Sequence, residues 1–139
     1  MTKGEIFKFM NDHPEFYLAT NDQGQARVRG LLLHKANEEG IYFTTGKMRD
    51  LYKQLKMDPK VELIFVEHPP LASVRVTGVV EELDDDLDLK KEIVSKRPFL
   101  KPMIDHSGYE PMAVFRVKNG TATEWRLETT MAPKTYIDL

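Results

Sequence analysis

Arg27 and Arg29 stand two residues apart in the run from Gln25 to His34. In an extended chain that spacing points both guanidiniums to one face and Val28 to the other. A guanidinium offers a planar fork of donors that matches phosphate bidentately, so two of them on rigid backbone suit a dianion. The plain alternative is a solvated strand face with two ordinary arginines. Further along, Thr44 and Thr45 end a second extended run, and Lys47, Arg49 and Lys53 follow before and within a helix. Hydroxyls, cations and a helix N-terminus at one strand end favour an anion. The competing reading is that Lys47, Lys53, Lys56 and Lys60 are the wet side of an amphipathic helix.

These residues need elements to hold them. Thr2 and Glu5 are spaced as a capping box ahead of Ile6, Phe7, Phe9 and Met10, which predicts a helix of roughly ten residues ending near His13 and Pro14. Phe16 to Thr20 reads as a strand, Asn21 to Gly24 as a turn and Gln25 to His34 as a second strand, making a hairpin. Asn37 to Gly40 reads as a turn, Ile41 to Thr45 as a strand, and Arg49 to Met57 as a helix with Leu51 and Leu55 on one side, stopped by Asp58 and Pro59. Val61 to Val66 is mostly apolar, as in a strand buried on both faces, and Pro69 and Pro70 interrupt pairing after it. Ser73 to Leu83 resumes as a long strand.

Asp84, Asp85 and Asp86 crowd the start of a third helix from Leu87 to Ser95, where acidic groups suit the dipole. With Glu81, Glu82 and Asp88 they form an acidic run that lacks the spacing of a calcium loop and reads as a solvated turn. Arg97 to Glu110 reads as a loop, with Phe99 and Tyr109 among prolines and methionines. That composition suits a lid, a dimer contact or plain packing. Met112 to Val117 and Thr121 to Leu127 flank Asn119 and Gly120, the strongest short hairpin signal in the chain. Thr135 to Leu139 closes it. About seven strands joined mostly by short turns predict an antiparallel barrel with three peripheral helices rather than a doubly wound sheet.

The 139 residues suffice for one domain spanning 1–139. With no cysteine, thiolate metal sites, iron–sulfur clusters and cysteine nucleophiles are excluded together. A net charge of −2 argues against a nucleic-acid partner held by bulk electrostatics, leaving a small-molecule partner. There is no long apolar run and no signal-peptide pattern at the start, so a cytoplasmic location is expected. Dinucleotide, P-loop and hydrolase-elbow motifs do not occur. His13, His34, His68 and His106 have no metal-ligand spacing to one another, and no metal is expected.

The segments RVRGLLLH, IYFTTGKMRDLYKQL, DPKVELIF and SVRVTGVVEEL occur in the order found in the pyridoxamine 5′-phosphate oxidase-like, FMN-binding split barrels, which the chain resembles over most of its length. RPFLKPMID, MAVFRVKNGTAT and PKTYIDL look most like small bacterial members of the nitroimidazole-resistance and general-stress types. The resemblance implies a six-stranded split barrel forming a homodimer, with FMN at two interface sites. It puts Arg29 at the family's strand arginine, with Gly30 and Leu31 passing the flavin by backbone. Phe43, Thr44 and Thr45 match the segment beside the ribityl chain and ring. Lys47, Arg49 and Lys53 compete for the phosphate, with Lys53 favoured by its YKQL context.

Two departures stand out. Ser73 replaces a glutamine that touches the ring, and His34 lies near a strand lysine, where it is the one candidate to protonate a reduced ring or substrate. The chain also lacks the C-terminal region that grips pyridoxal phosphate, so vitamin B6 oxidation is not implied. Trp125, the only tryptophan, either covers a flavin across the interface or belongs to the core. The resemblance therefore implies an FMN-dependent oxidoreductase passing electrons or hydride to a small planar acceptor, nitroaromatic or quinone-like. A non-catalytic flavin or haem carrier or sensor is the alternative, and a deazaflavin-using reductase a weaker third.

Overall fold

A computed structural model describes residues 1–83 and 86–139. Asp84 and Asp85, expected at the start of the third helix, lie outside the described residues. The chain opens with α1 (Lys3–Asp12), whose capping box is present: the Glu5 N–H donates to Thr2 Oγ1 and the Thr2 N–H donates to Glu5 Oε1. β1 (Glu15–Asp22) and β2 (Gln25–Leu32) follow as a hairpin. Gln23 and Gly24 both have positive φ, 54° and 90°, as a two-residue turn compatible with strand twist requires. Then come β3 (Lys35–Asn37), β4 (Gly40–Gly46), α2 (Asp50–Met57), β5 (Lys60–Glu67) and β6 (Ala72–Glu82). α3 (Leu87–Lys96) is capped by Asp86, which accepts from the Leu89 N–H. β7 (Met112–Val117), β8 (Thr121–Arg126) and β9 (Ile137–Asp138) complete the sheet.

All strand pairings are antiparallel, in the order β2-β1-β5-β6-β7-β4-β3, with β8 on β6 and β9 on β8. The eleven-residue β6 joins two parts of this sheet. Its residues Ala72 to Val79 pair with β5, while Val80 to Glu82 pair with β7. β2 and β3 end the path on β1 and β4 and do not pair with each other, so the barrel is split there.

The core lies between the two parts. Phe16 of β1 stacks on Phe65 of β5, with centroids 4.8 Å apart, and meets Phe43 of β4 edge-on at 6.0 Å. Phe43 stacks on Phe115 of β7, which Tyr52 of α2 approaches. A column of rings thus ties β5 to α2 through the middle of the barrel.

Five expectations need correction. The hairpin expected at Asn119 and Gly120 does not form: β7 and β8 each pair with β6, one beyond the other along that long strand, and not with each other. The segment expected as a loop from Arg97 to Glu110 holds a 3-10 turn (Pro98–Leu100) and a helix, α4 (Lys101–Ser107). Neither buries a residue, so no apolar periodicity announces them. β3, of three residues ahead of the expected turn, and β9, of two, add to the seven expected strands, bringing the described residues to nine strands and, with α4, four α-helices. α2 starts at Asp50, with Arg49 as its N-cap. β5 is not buried on both faces: Val61, Leu63 and Phe65 face the core, while Glu62, Ile64 and Val66 are half-buried on the outside.

Candidate functional site

The register of the first hairpin sets the site. Arg27 pairs with Thr20, Arg29 with Leu18 and Leu31 with Phe16, so all three side chains stand on the same face of β2, turned toward α2. Between β2 and α2 opens a cavity of about 1010 Å³, a size that accommodates a cofactor. Arg27, Arg29, Gly30 and Leu31 line it from β2, Thr45 from the end of β4, and Arg49, Lys53 and Gln54 from α2 and its cap. β2 pairs with β1 alone among the described residues, which leaves its other edge with backbone donors and acceptors for a ligand.

Charge separates this cavity from the rest of the chain. Four cations, Arg27, Arg29, Arg49 and Lys53, and two carboxylates, Asp22 and Asp50, line it, a local balance of +2 in a chain of net charge −2. Arg27 is engaged: its Nε donates to Asp22 Oδ2 at 3.2 Å. Among the described residues no carboxylate lies within ion-pair distance of Arg29, Arg49 or Lys53. The first turn of α2 adds N–H groups without helical partners beside Arg49.

Arg29 is held by neutral groups. Nη1 donates to Leu18 O at 3.2 Å and to Thr20 Oγ1 at 2.9 Å, and Nη2 donates to Gln54 Oε1. Partial burial, and secondarily Arg27, lower its pKa from the usual arginine value, and it remains fully charged at any physiological pH. Three of its five N–H donors are used inside the protein, leaving Nε–H and one Nη2–H for a ligand.

The other residues singled out in the sequence lie elsewhere. Lys47 donates to Glu110 Oε1 at 3.3 Å and does not line the cavity. Phe43 is wholly buried in the ring column, and Thr44 alternates away from Thr45 on β4. Ser73 and Trp125 are register partners on β6 and β8, on the outer sheet face shared by Tyr17 and Gly30. At roughly 4.8 Å per strand, they sit about 14 and 19 Å from β2 in the same chain.

His34 is turned away from the cavity. Its side chain is only 1% exposed, and Nε2 meets Glu92 Oε2 on α3 at 3.0 Å. Arg97 Nη2 donates to the Leu32 and Leu33 carbonyls beside it. Burial holds the imidazole below its ordinary 6.5, outweighing the opposing pull of Glu92. The His34 hydrogen bond holds the Glu92 carboxyl below its usual value, so the carboxylate persists to lower pH than its surroundings would otherwise allow. A histidine that resists protonation when folded costs stability as pH falls through 6.5, because the unfolded chain takes the proton first. The melting temperature is therefore expected to fall from neutral pH to about pH 5.5, and His34→Gln to flatten that limb. Equal slopes in thermal melts of the two proteins would exclude His34 as the source.

Two residues that hold Arg29 went unnoticed in the sequence, Thr20 and Gln54, both buried. A signal existed for the second. Gln54 falls on the same helical face as Leu51 and Leu55, the two leucines that α2 buries, and a polar residue in an apolar stripe calls for a partner.

Comparison with known proteins agrees with this architecture. The family model described as pyridoxamine 5′-phosphate oxidase matches residues 2–126. A NimC/NimA family protein from Clostridium acetobutylicum superposes with a TM-score of 0.80 at 26% identity, over 98% of this chain and 91% of that one. An FAD-binding protein from Mesorhizobium loti superposes at 0.67 and 21% identity, over 90% and 96%. HutZ, the haem storage protein of Vibrio cholerae, superposes at 0.61 and 18% identity, over 84% and 88%. A search of curated protein sequences gives no match. With a family match over nearly its whole length and an open antiparallel barrel to go with it, the chain belongs to the pyridoxamine 5′-phosphate oxidase family.

Proposed function

We propose that the protein is an FMN-binding oxidoreductase working as a homodimer, passing electrons or hydride from reduced flavin to a small planar acceptor of the nitroaromatic or quinone kind. The observation that carries this reading is the cavity between β2 and α2, where Arg29, Arg49 and Lys53 face one space without a carboxylate partner among the described residues. Uncompensated cations grouped in this way suit a phosphate monoester, with Arg29 as a fork and Lys53 as a point charge. FMN would bring a two-electron carrier, and the protein's part is to bind it, orient it and shield it.

Gly30 supports the placement of the ring. A Cβ there would meet only the Tyr17 ring, at an ordinary 3.6 Å. Packing within the chain thus does not demand a glycine, and a flat group lying on the β2 backbone would. Ser73 and Trp125 are too far from β2 in their own chain to join the site. A second copy, packing through the outer face that carries Tyr17, Ile64 and Val66, would bring them to the flavin. Tyr17 is 53% and Val28 69% exposed, which fits a surface that pairs.

The cavity lining holds no histidine, cysteine or tyrosine among the described residues, so of the usual haem-iron ligands only Met48 and Met57 are at hand, while its grouped cations suit a flavin phosphate. The test is the visible spectrum of the purified protein before and after adding FMN, with released cofactor identified by mass. Paired flavin bands near one FMN per chain are expected. A protein indifferent to FMN that takes up haem or deazaflavin would keep the barrel and overturn the cofactor.

A further inference from the structure

Among the described residues, Gln54 is the only side-chain amide among the groups that hold Arg29, and it is 9% exposed. Its Oε1 accepts from both Thr20 Oγ1, at 2.6 Å, and Arg29 Nη2. Thr20 Oγ1 in turn accepts from Arg29 Nη1 at 2.9 Å. Guanidinium, hydroxyl and amide thus close a ring of three hydrogen bonds. A guanidinium only donates, so the amide must face it with oxygen.

The chemical type matters here. A position buried against an arginine is ordinarily where a carboxylate would stand, since it pairs the charge and accepts two donors. Gln54 accepts the same two bonds and brings no charge. The guanidinium is therefore fixed in direction while its full charge, together with Nε–H and one Nη2–H, remains available to the cavity. Thr20 on β1 and Gln54 on α2 fix it from two separate elements, so its aim is set before a ligand arrives.

We infer that Gln54 is a positioning residue that makes this cavity selective for a phosphate monoester, by orienting Arg29 without neutralising it. The inference rests on the FMN reading above and names the residue that sets its selectivity. Gln54 acts through Arg29, and the effect is one of discrimination between FMN and riboflavin, which share a ring and differ by the phosphate.

The test is Gln54→Glu in the full chain, with FMN and riboflavin affinities measured by calorimetry alongside wild type. The near-isosteric carboxylate keeps both hydrogen bonds and pairs the arginine, so thermal melts should show equal or greater stability. The preference for FMN over riboflavin should fall by at least about tenfold, as expected when a charge-assisted contact is lost. Gln54→Met, which keeps the bulk and removes the acceptor, should lower the preference by a smaller factor, and it carries the test if the first variant does not fold. A purely structural role would weaken both ligands together and leave their ratio unchanged. A ratio equal to that of wild type in the folded variants overturns the inference while the FMN reading stands. A wild-type protein that does not prefer FMN to riboflavin overturns the phosphate assignment itself, and this inference with it.

Discussion

Arg29→Ala is expected to weaken FMN binding by about tenfold or more while leaving riboflavin nearly untouched. Arg29 presents two unused N–H donors to a cavity with a surplus of positive charge. A charge-assisted contact of this kind contributes on the order of 1.5 to 3 kcal/mol, and each ~1.4 kcal/mol is tenfold in affinity. Riboflavin lacks the phosphate, so the alanine should cost it little. Calorimetric titration of both ligands reads the split directly. Equal losses would mean that Arg29 supports the ring or the fold, and the phosphate would pass to Arg49 and Lys53.

Phe43→Ala is expected to lower stability by about 3–5 kcal/mol, a large share of the roughly 5–15 kcal/mol that holds a small domain together. The ring is 0% exposed and sits between Phe16, at 6.0 Å and nearly edge-on, and Phe115, at 5.8 Å and stacked. Its removal leaves a void in the middle of the ring column, where strands on both sides are already paired and cannot close in. Denaturant unfolding measures the loss. A cost under about 1 kcal/mol would contradict so central a place for the ring. Whatever part the Phe43 segment plays beside a flavin falls to its backbone, because the side chain is occupied in the core.

How much of this was legible in the sequence varied with the range of the interactions involved. The Asn119–Gly120 signal misled as a hairpin, since β7 and β8 pair with β6 and not with each other, whereas the turn within Asn21–Gly24 was readable because its chemistry is local, with Gln23 and Gly24 both at positive φ between paired strands. The Thr2–Glu5 capping box was readable for the same reason. α4 was not, because it buries nothing and carries Pro102, so it has the composition of a loop. β3 was too short to show a period.

Within the site, the shared face of Arg27 and Arg29 follows from strand alternation alone. Bringing α2 against that face is a tertiary event, and so the pairing of Arg29 with Gln54 stayed hidden although both residues stand in a legible stretch. Lys47 shows the converse. Its place in the basic cluster suggested phosphate, yet the chain return at Glu110, some sixty residues on, engages it. The separation of Ser73 and Trp125 from β2 depends on strand order, which no local pattern encodes.

The central claim is that FMN is held by one chain's basic cavity and completed by a second chain's outer sheet face. The most direct measurement is the native mass of the FMN-loaded protein. The account predicts two chains carrying two FMN molecules, with flavin lost when the pair is driven apart. A single chain that retains FMN at full occupancy, or a pair that carries none, would contradict it.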